Sequence, residues 1–261
     1  MKAYLRNLWL VAKTISIEAV RRKEIYAIVV VSLVLIGGLR MVKFFDTEGL
    51  GKFYREISLR IMNVATALTV ILLAARQLPR EFQNRTLYPM LAKPVRRSNF
   101  LLGKFLGVMF AAVFCYGLFM VVFLVGSLTI KMPINNELFL QFVYLQLWTF
   151  AVLGALAFLL SLLVNIDAAI TISVLLYLCS QVLMSLMSYL YDYLTALQQG
   201  LLLGLHFVVP QLSLFDLSAK VVHEIWPPIA SWAVWALTAY GAVYTVLYLS
   251  ASYLVFRRRA L

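Results

Sequence analysis

Few residues in this sequence belong to types that could do chemistry, and they are scattered. The two histidines are His206 and His223, and Glu224 follows the second. A His-Glu pair could bind a metal ion or relay a proton, but a polar pair at a helix end is the commoner explanation. Met184 and Met187 stand one helical turn apart and could bind a soft metal ion, although packing methionines are far commoner. The histidines and methionines are therefore weak candidates, and the sequence predicts no metal site.

Motifs for nucleotide binding and for hydrolysis are absent from the sequence. The Gly-Lys pairs at 51–52 and 103–104 lack the upstream glycine of a phosphate-binding loop, and no His-Glu-x-x-His pattern occurs. In the third to fifth apolar runs the charged candidates are Lys131, Glu137 and Asp167, all of which can be placed at run ends. An intramembrane enzyme needs paired acids or a histidine cluster, and an ion-coupled transporter usually needs a charge near mid-bilayer. We therefore predict a chain that is not an enzyme and holds no cofactor of its own.

The elements that must position these residues are membrane helices. The 261 residues are 63% hydrophobic and only 13% charged, and the mean hydropathy is +0.90. Soluble domains are about half apolar and about a quarter charged. The apolar runs are too long for the strands of a membrane barrel. The composition predicts one all-α integral membrane domain over 1–261, in which Cys115 and Cys179 are packing residues.

The apolar runs predict six transmembrane helices, preceded by an amphipathic helix and interrupted by re-entrant half-helices before the last span. Residues 1–23 carry an apolar stripe beside basic residues, which is typical of a helix lying in the membrane interface. Residues 40–60 are mixed in charge and are predicted to form an outer loop. Residues 191–228 contain two pieces too short or too polar to cross, which predicts an outer re-entrant region. The predicted spans are 25–39, 58–75, 105–130, 138–164, 168–190 and 229–256.

The distribution of charge predicts the orientation. The net charge of +12 is concentrated in residues 1–24, 76–104 and 257–259. Lys and Arg near span ends favour the cytoplasmic side, so these three segments and both chain termini are predicted to be cytoplasmic. Because this placement accounts for the positive charge, nucleic-acid binding is not predicted.

The loop 76–104 is the most distinctive stretch of the sequence. It carries seven Lys or Arg residues against a single acid, Glu81. Pro79 is predicted to open a short helix there, and Pro89 and Pro94 to bracket its end. A stiff, basic helix at the membrane surface without an apolar core of its own is suited to docking onto another protein.

Within this loop the sequence resembles the permease subunits of ABC-2 type exporters. The residues that carry the resemblance are Glu81, Thr86-Leu87, the Leu-Ala-Lys-Pro at 91–94, Arg97 and the Phe-Leu-Leu-Gly-Lys at 100–104. The likeness extends over most of the chain, through the amphipathic start, the six spans, the re-entrant region and the basic end. The loop 40–60 departs from it by being rather charged and long.

The resemblance implies that the loop helix docks onto a separate ATP-binding subunit, which holds ATP and Mg. Two permeases and two ATPases would form the exporter in the cell (inner) membrane of a bacterium or archaeon. The contacts expected with the ATPase are made by Glu81, Phe82, Arg85, Leu87 and Tyr88. Arg96 and Arg97 are expected to anchor the loop to lipid phosphates.

Assembly and substrate stay open at the level of sequence. Gly103 with Gly107, and Gly200 with Gly204, allow close helix packing, either within one chain or in a homodimer. The apolar, aromatic outer half favours an amphipathic or lipid-like substrate moved outward. The alternative is a membrane subunit that acts mechanically on an extracytoplasmic partner protein, or delivers metal or other cargo to it.

Overall fold

The computed structural model describes residues 29–31, 33–34, 37–38, 47–83, 97–130, 135–190, 195, 198–200, 210–223 and 226–258. At 47–50, 80–83, 97, 129–130, 181–190 and 223 it describes the backbone alone. The described residues form helices and loops, without a strand. The elements are α1 (Thr47–Gln83), α2 (Arg97–Ile130), α3 (Asn136–Leu163), α4 (Ile166–Leu190), a 3₁₀ turn (Leu212–Phe215), α5 (Ser218–His223) and α6 (Ser231–Arg258).

Four of the described helices are long and apolar enough to cross a membrane. They contain the stretches Gly51–Pro79, Ser98–Leu128, Asn136–Leu163 and Ser231–Arg258. A fifth apolar stretch, Ile166–Ser180 of α4, is shorter. The prediction of an all-helical membrane protein is confirmed. The interfacial helix 1–23 and most of the first predicted span lie outside the described residues.

Helix α3 is the centre of the bundle, because it is apolar on every side and most of its side chains are buried. It packs against α1, α2, α4 and α6. Along the α2–α3 contact, aromatic rings meet at three heights, with centroids 5.2–6.2 Å apart. The pairs are Phe123 with Phe139, Tyr116 with Phe150, and Phe105 with Phe158. These contacts fix α2 and α3 as antiparallel neighbours.

Helices α2 and α6 turn apolar side chains outward, as lipid-facing helices do. The exposed side chains of α2 are Leu106, Phe110, Val113, Phe114, Leu118, Val121, Val125 and Leu128. Those of α6 include Val243, Val246, Leu247 and Leu254. Trp232 and Trp235, at the start of α6, are also exposed, which is typical of the aromatic belt at a membrane boundary.

The prediction of a loop over 40–60 is wrong for its second half. Helix α1 begins at Thr47, eleven residues before the predicted start of the second span at Ser58. Three of the charges that favoured a loop, those of Lys52, Glu56 and Arg60, are spaced four residues apart and share one exposed face of the helix. The opposite face is buried, and its packing holds this stretch helical.

Pro79 does not open a helix in the loop, as the sequence predicted, but lies inside α1. The helix continues to Gln83, four residues further. Proline has no N–H to donate to the carbonyl four residues earlier, so it weakens a helix without necessarily ending it. Packing on both sides of α1 up to this point keeps it helical. Pro89 and Pro94 lie outside the described residues.

Helices α2 and α3 also start differently from the sequence prediction. Helix α2 begins at Arg97 rather than at 105, so the second half of the loop is shorter than predicted. Asn135 caps the start of α3, which begins at Asn136 rather than at 138. Its side-chain oxygen accepts hydrogen bonds from the backbone N–H groups of Glu137 and Leu138, at 3.2 and 3.4 Å.

Candidate functional site

The basic loop is held at its base by a buried polar contact between α1 and α2. Lys104 Nζ donates a hydrogen bond to Gln77 Oε1 at 3.1 Å. Lys104 is 5% exposed and Gln77 is 2% exposed. The two residues are 27 positions apart in the chain, on opposite sides of the loop. The end of α1 and the start of α2 are therefore joined directly below the loop that they carry.

Aromatic contacts connect this hydrogen bond to the last helix. Lys104 Nζ lies 5.5 Å from the centroid of the Phe100 ring, in the geometry of a cation–π contact. The Phe100 ring stacks against Phe256 of α6, with centroids 6.3 Å apart and planes at 17°. We call Gln77, Phe100, Lys104 and Phe256 the basal clamp. It links three of the long helices, so a displacement of the loop must be shared among them.

The basal clamp is a costly arrangement, which makes it specific. A buried ammonium has lost its water, and it is tolerated only with good acceptors around it. Gln77 Oε1 supplies one acceptor, while Gln77 Nε2 has no hydrogen-bond partner within the described part of the chain. Leaving such a buried donor unpaired costs about 1–3 kcal/mol. A purely apolar contact would hold the helices together without this cost. A hydrogen bond, unlike an apolar contact, forms only in one relative position of donor and acceptor, so the clamp favours one defined geometry of the loop base.

The residues predicted to dock the ATPase, and those predicted to anchor the loop to lipid phosphates, lie beyond the clamp. Glu81 and Phe82 fall in the last turn of α1, and Arg97 is the first residue of α2; only their backbone is described. Arg85, Leu87, Tyr88 and Arg96 lie outside the described residues. Their roles stay predictions. Sequence reasoning included Lys104 as part of the loop but did not find its partner Gln77, because no local pattern couples the two.

The two glycine pairs have different surroundings. Gly103 and Gly107 are buried within this chain, which favours packing inside one subunit for that pair. Gly200 is exposed, and Gly204 lies outside the described residues. A dimer contact near Gly200 stays a prediction.

The weak metal candidates are not brought together by the described residues. Met184 and Met187 lie in the second half of α4, and His223 ends α5; only their backbone is described. His206 lies outside the described ranges. Among the described side chains, no group of three His, Cys, Asp or Glu residues is arranged to hold a metal ion.

The sequence prediction missed charged residues within a membrane-span helix. Arg55, assigned there to an outer loop, lies on α1 within the stretch Gly51–Pro79 and is only 2% exposed. Arg60 lies on the same helix and is exposed. The spacing of the charges was the available signal, because it defines a polar face beside a buried one. Ionisable groups at such positions are functional candidates by default.

The fold and the basal clamp define an integral membrane protein whose longest helices carry a basic loop. A family model described as ABC-2 family transporter protein matches residues 5–261, so the chain belongs to the ABC-2 transporter family. It is a multi-pass membrane protein and a permease subunit, which as such has no ATPase activity. Membership also implies that it works with an ATP-binding subunit. No curated protein shows a significant match to the sequence.

Proposed function

We propose that this chain is the permease subunit of an ATP-driven exporter, coupled to its ATPase through the loop 76–104. The observation that carries the proposal is the basal clamp. Helix α1 has 37 residues, which at the rise of an α-helix makes it about 55 Å long. It is therefore a continuous lever from the loop to the far side of the bundle. Force on the loop enters α1 and α2 together, because Gln77 and Lys104 join them.

The movement that follows is a rigid-body one. When ATP and Mg bring two ATPase subunits together, the docked loops approach each other. The buried core of α3 resists local deformation, so the helices around it tilt as a unit. ATP then shifts the equilibrium between the inward-open and outward-open forms, because it binds one of these forms of the complex better than the other.

The proposed topology has six spans, with both termini in the cytoplasm of a bacterial or archaeal cell. The four long described helices and α4 supply five spans, and residues 25–39 supply the sixth. The described residues 29–31, 33–34 and 37–38 are helical, which supports it. The basic C-terminal end of α6, at Arg257 and Arg258, supports a cytoplasmic end by the positive-inside rule.

The re-entrant reading of the segment before α6 is supported by its depth. Phe215, in the 3₁₀ turn, is fully buried and approaches Gly241 and Trp148. Both of these lie in the middle third of their helices, α6 and α3. A turn this short at such a depth is what a re-entrant segment would supply.

For the substrate we propose an amphipathic or lipid-like molecule moved outward by a homodimer of this chain. The exposed faces of α2 and α6 are apolar, so such a molecule can reach the protein from the bilayer. The exposed charges of α1, at Lys52, Glu56 and Arg60, offer polar contacts near the outer end. This combination suits a molecule with both characters better than a free ion.

The experiment that tests coupling uses Glu81→Gln and Arg85→Gln in the complex reconstituted with its ATPase. Each variant is expected to lower transport per ATP hydrolysed, because the docked loop no longer follows the ATPase. The measurement is the ratio of substrate flux to phosphate release in proteoliposomes. Glu137→Gln is the matched control, since Glu137 is an exposed acid in the first turn of α3, outside the loop and the proposed substrate contacts.

Full coupling in the Glu81→Gln/Arg85→Gln double variant would refute the docking role of this loop. Stimulation of the ATPase by an extracytoplasmic protein alone, and by no amphipathic molecule, would favour the mechanical alternative over export.

A further inference from the structure

The membrane-span stretch of α1 turns only charged side chains outward. In Gly51–Pro79, every residue of which the structure describes, the exposed residues are Lys52, Glu56 and Arg60. They follow each other at intervals of four residues, so they lie one turn apart on the same side of the helix. A helix that faces lipid shows the opposite pattern, with apolar side chains outside. We call Lys52, Glu56 and Arg60 the charged stripe.

Contacts between α1 and α2 set the depth of the charged stripe. The basal clamp joins the two helices near the loop. Toward the other end Tyr54 stacks on Phe123, with ring centroids 6.2 Å apart. Interpolation between these two contacts, along the antiparallel helices, places Arg60 within about one helical turn of the height of Leu118.

Helix α2 is exposed and apolar at the same heights. By the same interpolation Glu56 is level with Val121, and Lys52 with Val125. Both valines are exposed, and so is Leu128 further out. Lipid tails that cover this face of α2 therefore surround the bundle at the level of the charged stripe.

Contacts of α3 relate these heights to the last helix. The ring of Tyr116 packs against Phe150 of α3, with centroids 5.2 Å apart. Trp148, two residues earlier on α3, lies against Gly241 of α6. Gly241 is therefore about level with Tyr116, and α2 reaches the height of Arg60 about half a turn further out.

The tryptophans of α6 give an independent measure of depth. Trp232 and Trp235 are exposed near the start of α6, as is typical of the membrane boundary. They precede Gly241 by nine and six residues, so they lie about 9–14 Å further out along the helix. Arg60 then lies about 6–10 Å inside this boundary. The charged stripe runs from the boundary into the level of the lipid tails.

Charged side chains at this depth are costly against lipid, and in membrane proteins they face a water-filled cavity or another protein surface. Direct contact with a second copy of the chain is disfavoured by the charges. In a parallel two-fold contact each residue meets its own counterpart, so Arg60 would face Arg60 and Glu56 would face Glu56. Water on this side of α1 accounts for the charged stripe without that repulsion.

We propose that the charged stripe lines the aqueous part of the export path and binds the anionic headgroup of the substrate, a phosphate or a carboxylate. This assignment rests on the proposed export function. Two cations and one acid leave the stripe a net charge of +1, which attracts a group with a negative charge. The guanidinium of Arg60 holds a phosphate or carboxylate with two parallel hydrogen bonds. The tail of the substrate stays among the lipid tails.

Access of water is tested by cysteine labelling of the purified full-length chain in lipid nanodiscs, which leave both membrane faces open. Glu56→Cys and Arg60→Cys are made singly in a Cys115→Ala/Cys179→Ser background. The measurement is the rate of their reaction with 2-sulfonatoethyl methanethiosulfonate, an anion that does not enter lipid.

Val121→Cys and Leu118→Cys, exposed at the same heights on α2, are the matched controls. Glu56→Cys and Arg60→Cys are expected to react about tenfold faster or more than these controls. The reagent attacks the thiolate, which forms in water and is suppressed in apolar surroundings. Lys52→Cys replaces either stripe variant if that variant fails to fold.

The headgroup is tested by protection of Glu56→Cys, which keeps both cations of the stripe. The probe is dodecyl phosphate, and dodecyl maltoside at equal concentration is the uncharged comparison. At about ten times its Kd, dodecyl phosphate is expected to slow the labelling about tenfold, because the occupied stripe excludes the reagent. Dodecyl maltoside should leave the rate unchanged. Adding Arg60→Gln should remove the protection, whereas Arg258→Gln, which removes an exposed arginine at the inner end of α6, should keep it.

The aqueous path is overturned if Glu56→Cys and Arg60→Cys are labelled no faster than the α2 controls. If the same two variants are then cross-linked between copies by copper phenanthroline, the stripe is a contact between two chains. Equal protection by both detergents, protection by neither, or protection that survives Arg60→Gln, overturns the anionic headgroup. These measurements need no ATPase, so their failure is distinct from a failure of coupling in Glu81→Gln.

Discussion

The basal clamp predicts a measurable energetic coupling between Gln77 and Lys104. The perturbation is a double-mutant cycle of Gln77→Leu, Lys104→Met and the double variant. Gln77→Leu removes an acceptor from a buried ammonium, so it should be the more damaging single change. Lys104→Met removes the buried charge as well as the bond, which offsets part of its cost.

The expected magnitudes follow from hydrogen bonds to charged groups, which contribute about 1.5–3 kcal/mol. Gln77→Leu should lower the free energy of unfolding by about 2–3 kcal/mol, and Lys104→Met by about 1 kcal/mol. In the double variant neither partner is left unpaired, so its loss should be close to that of Lys104→Met alone. The coupling energy is then about 2–3 kcal/mol, the whole loss in Gln77→Leu.

The assay has two parts. The free energy of unfolding is measured by reversible denaturation of the purified chain, and flux per ATP is measured with the ATPase present. Gln77→Leu is expected to lower both, because the base of the loop loses its defined geometry. Lys52→Met is the control for removing a lysine charge, since Lys52 is exposed on the same helix as Gln77. It should change stability by less than about 0.5 kcal/mol.

Additivity would refute this reasoning. If the losses of the two single variants sum to that of the double variant within about 0.5 kcal/mol, the pair does not act as a unit. If Gln77→Leu lowers the free energy of unfolding but leaves the ratio of flux to ATP hydrolysed unchanged, the clamp contributes to stability only. That result would contradict the proposal that the clamp transmits movement from the loop to the helices.

Two further variants test the packing that supports the sites. Gly241→Ala should destabilise the chain by about 1–3 kcal/mol, because the new Cβ would lie 3.0 Å from Cε3 of Trp148. Gly117→Ala is its control, as nothing lies within 4 Å of a Cβ there, and thermal unfolding of both measures the difference. Phe256→Ala should cost about 3–5 kcal/mol and reduce flux per ATP, because the clamp loses its ring contact with α6. Leu254→Ala, at an exposed position two residues earlier, should have little effect on either measurement.

Fold class and family could be predicted from the sequence because they depend on local and additive properties. In a bilayer, the backbone N–H and C=O groups of a long apolar run can all form hydrogen bonds only if the run is a helix. Composition and run length were therefore enough to predict the fold class. The loop 76–104 was recognisable because its charges and prolines are contiguous in the chain. The same local reasoning failed at Thr47 and Pro79, where tertiary packing keeps α1 helical against a charge pattern and a proline.

The sequence by itself determined that this chain is a helical membrane protein of the ABC-2 family with a basic loop. Only the tertiary structure decided that Gln77 pairs with Lys104 and that Asp216 approaches Tyr116 and Tyr177. These residues are far apart in the chain, so no local periodicity relates them. Burial in the bundle removes their water, and their partners must then come from other helices.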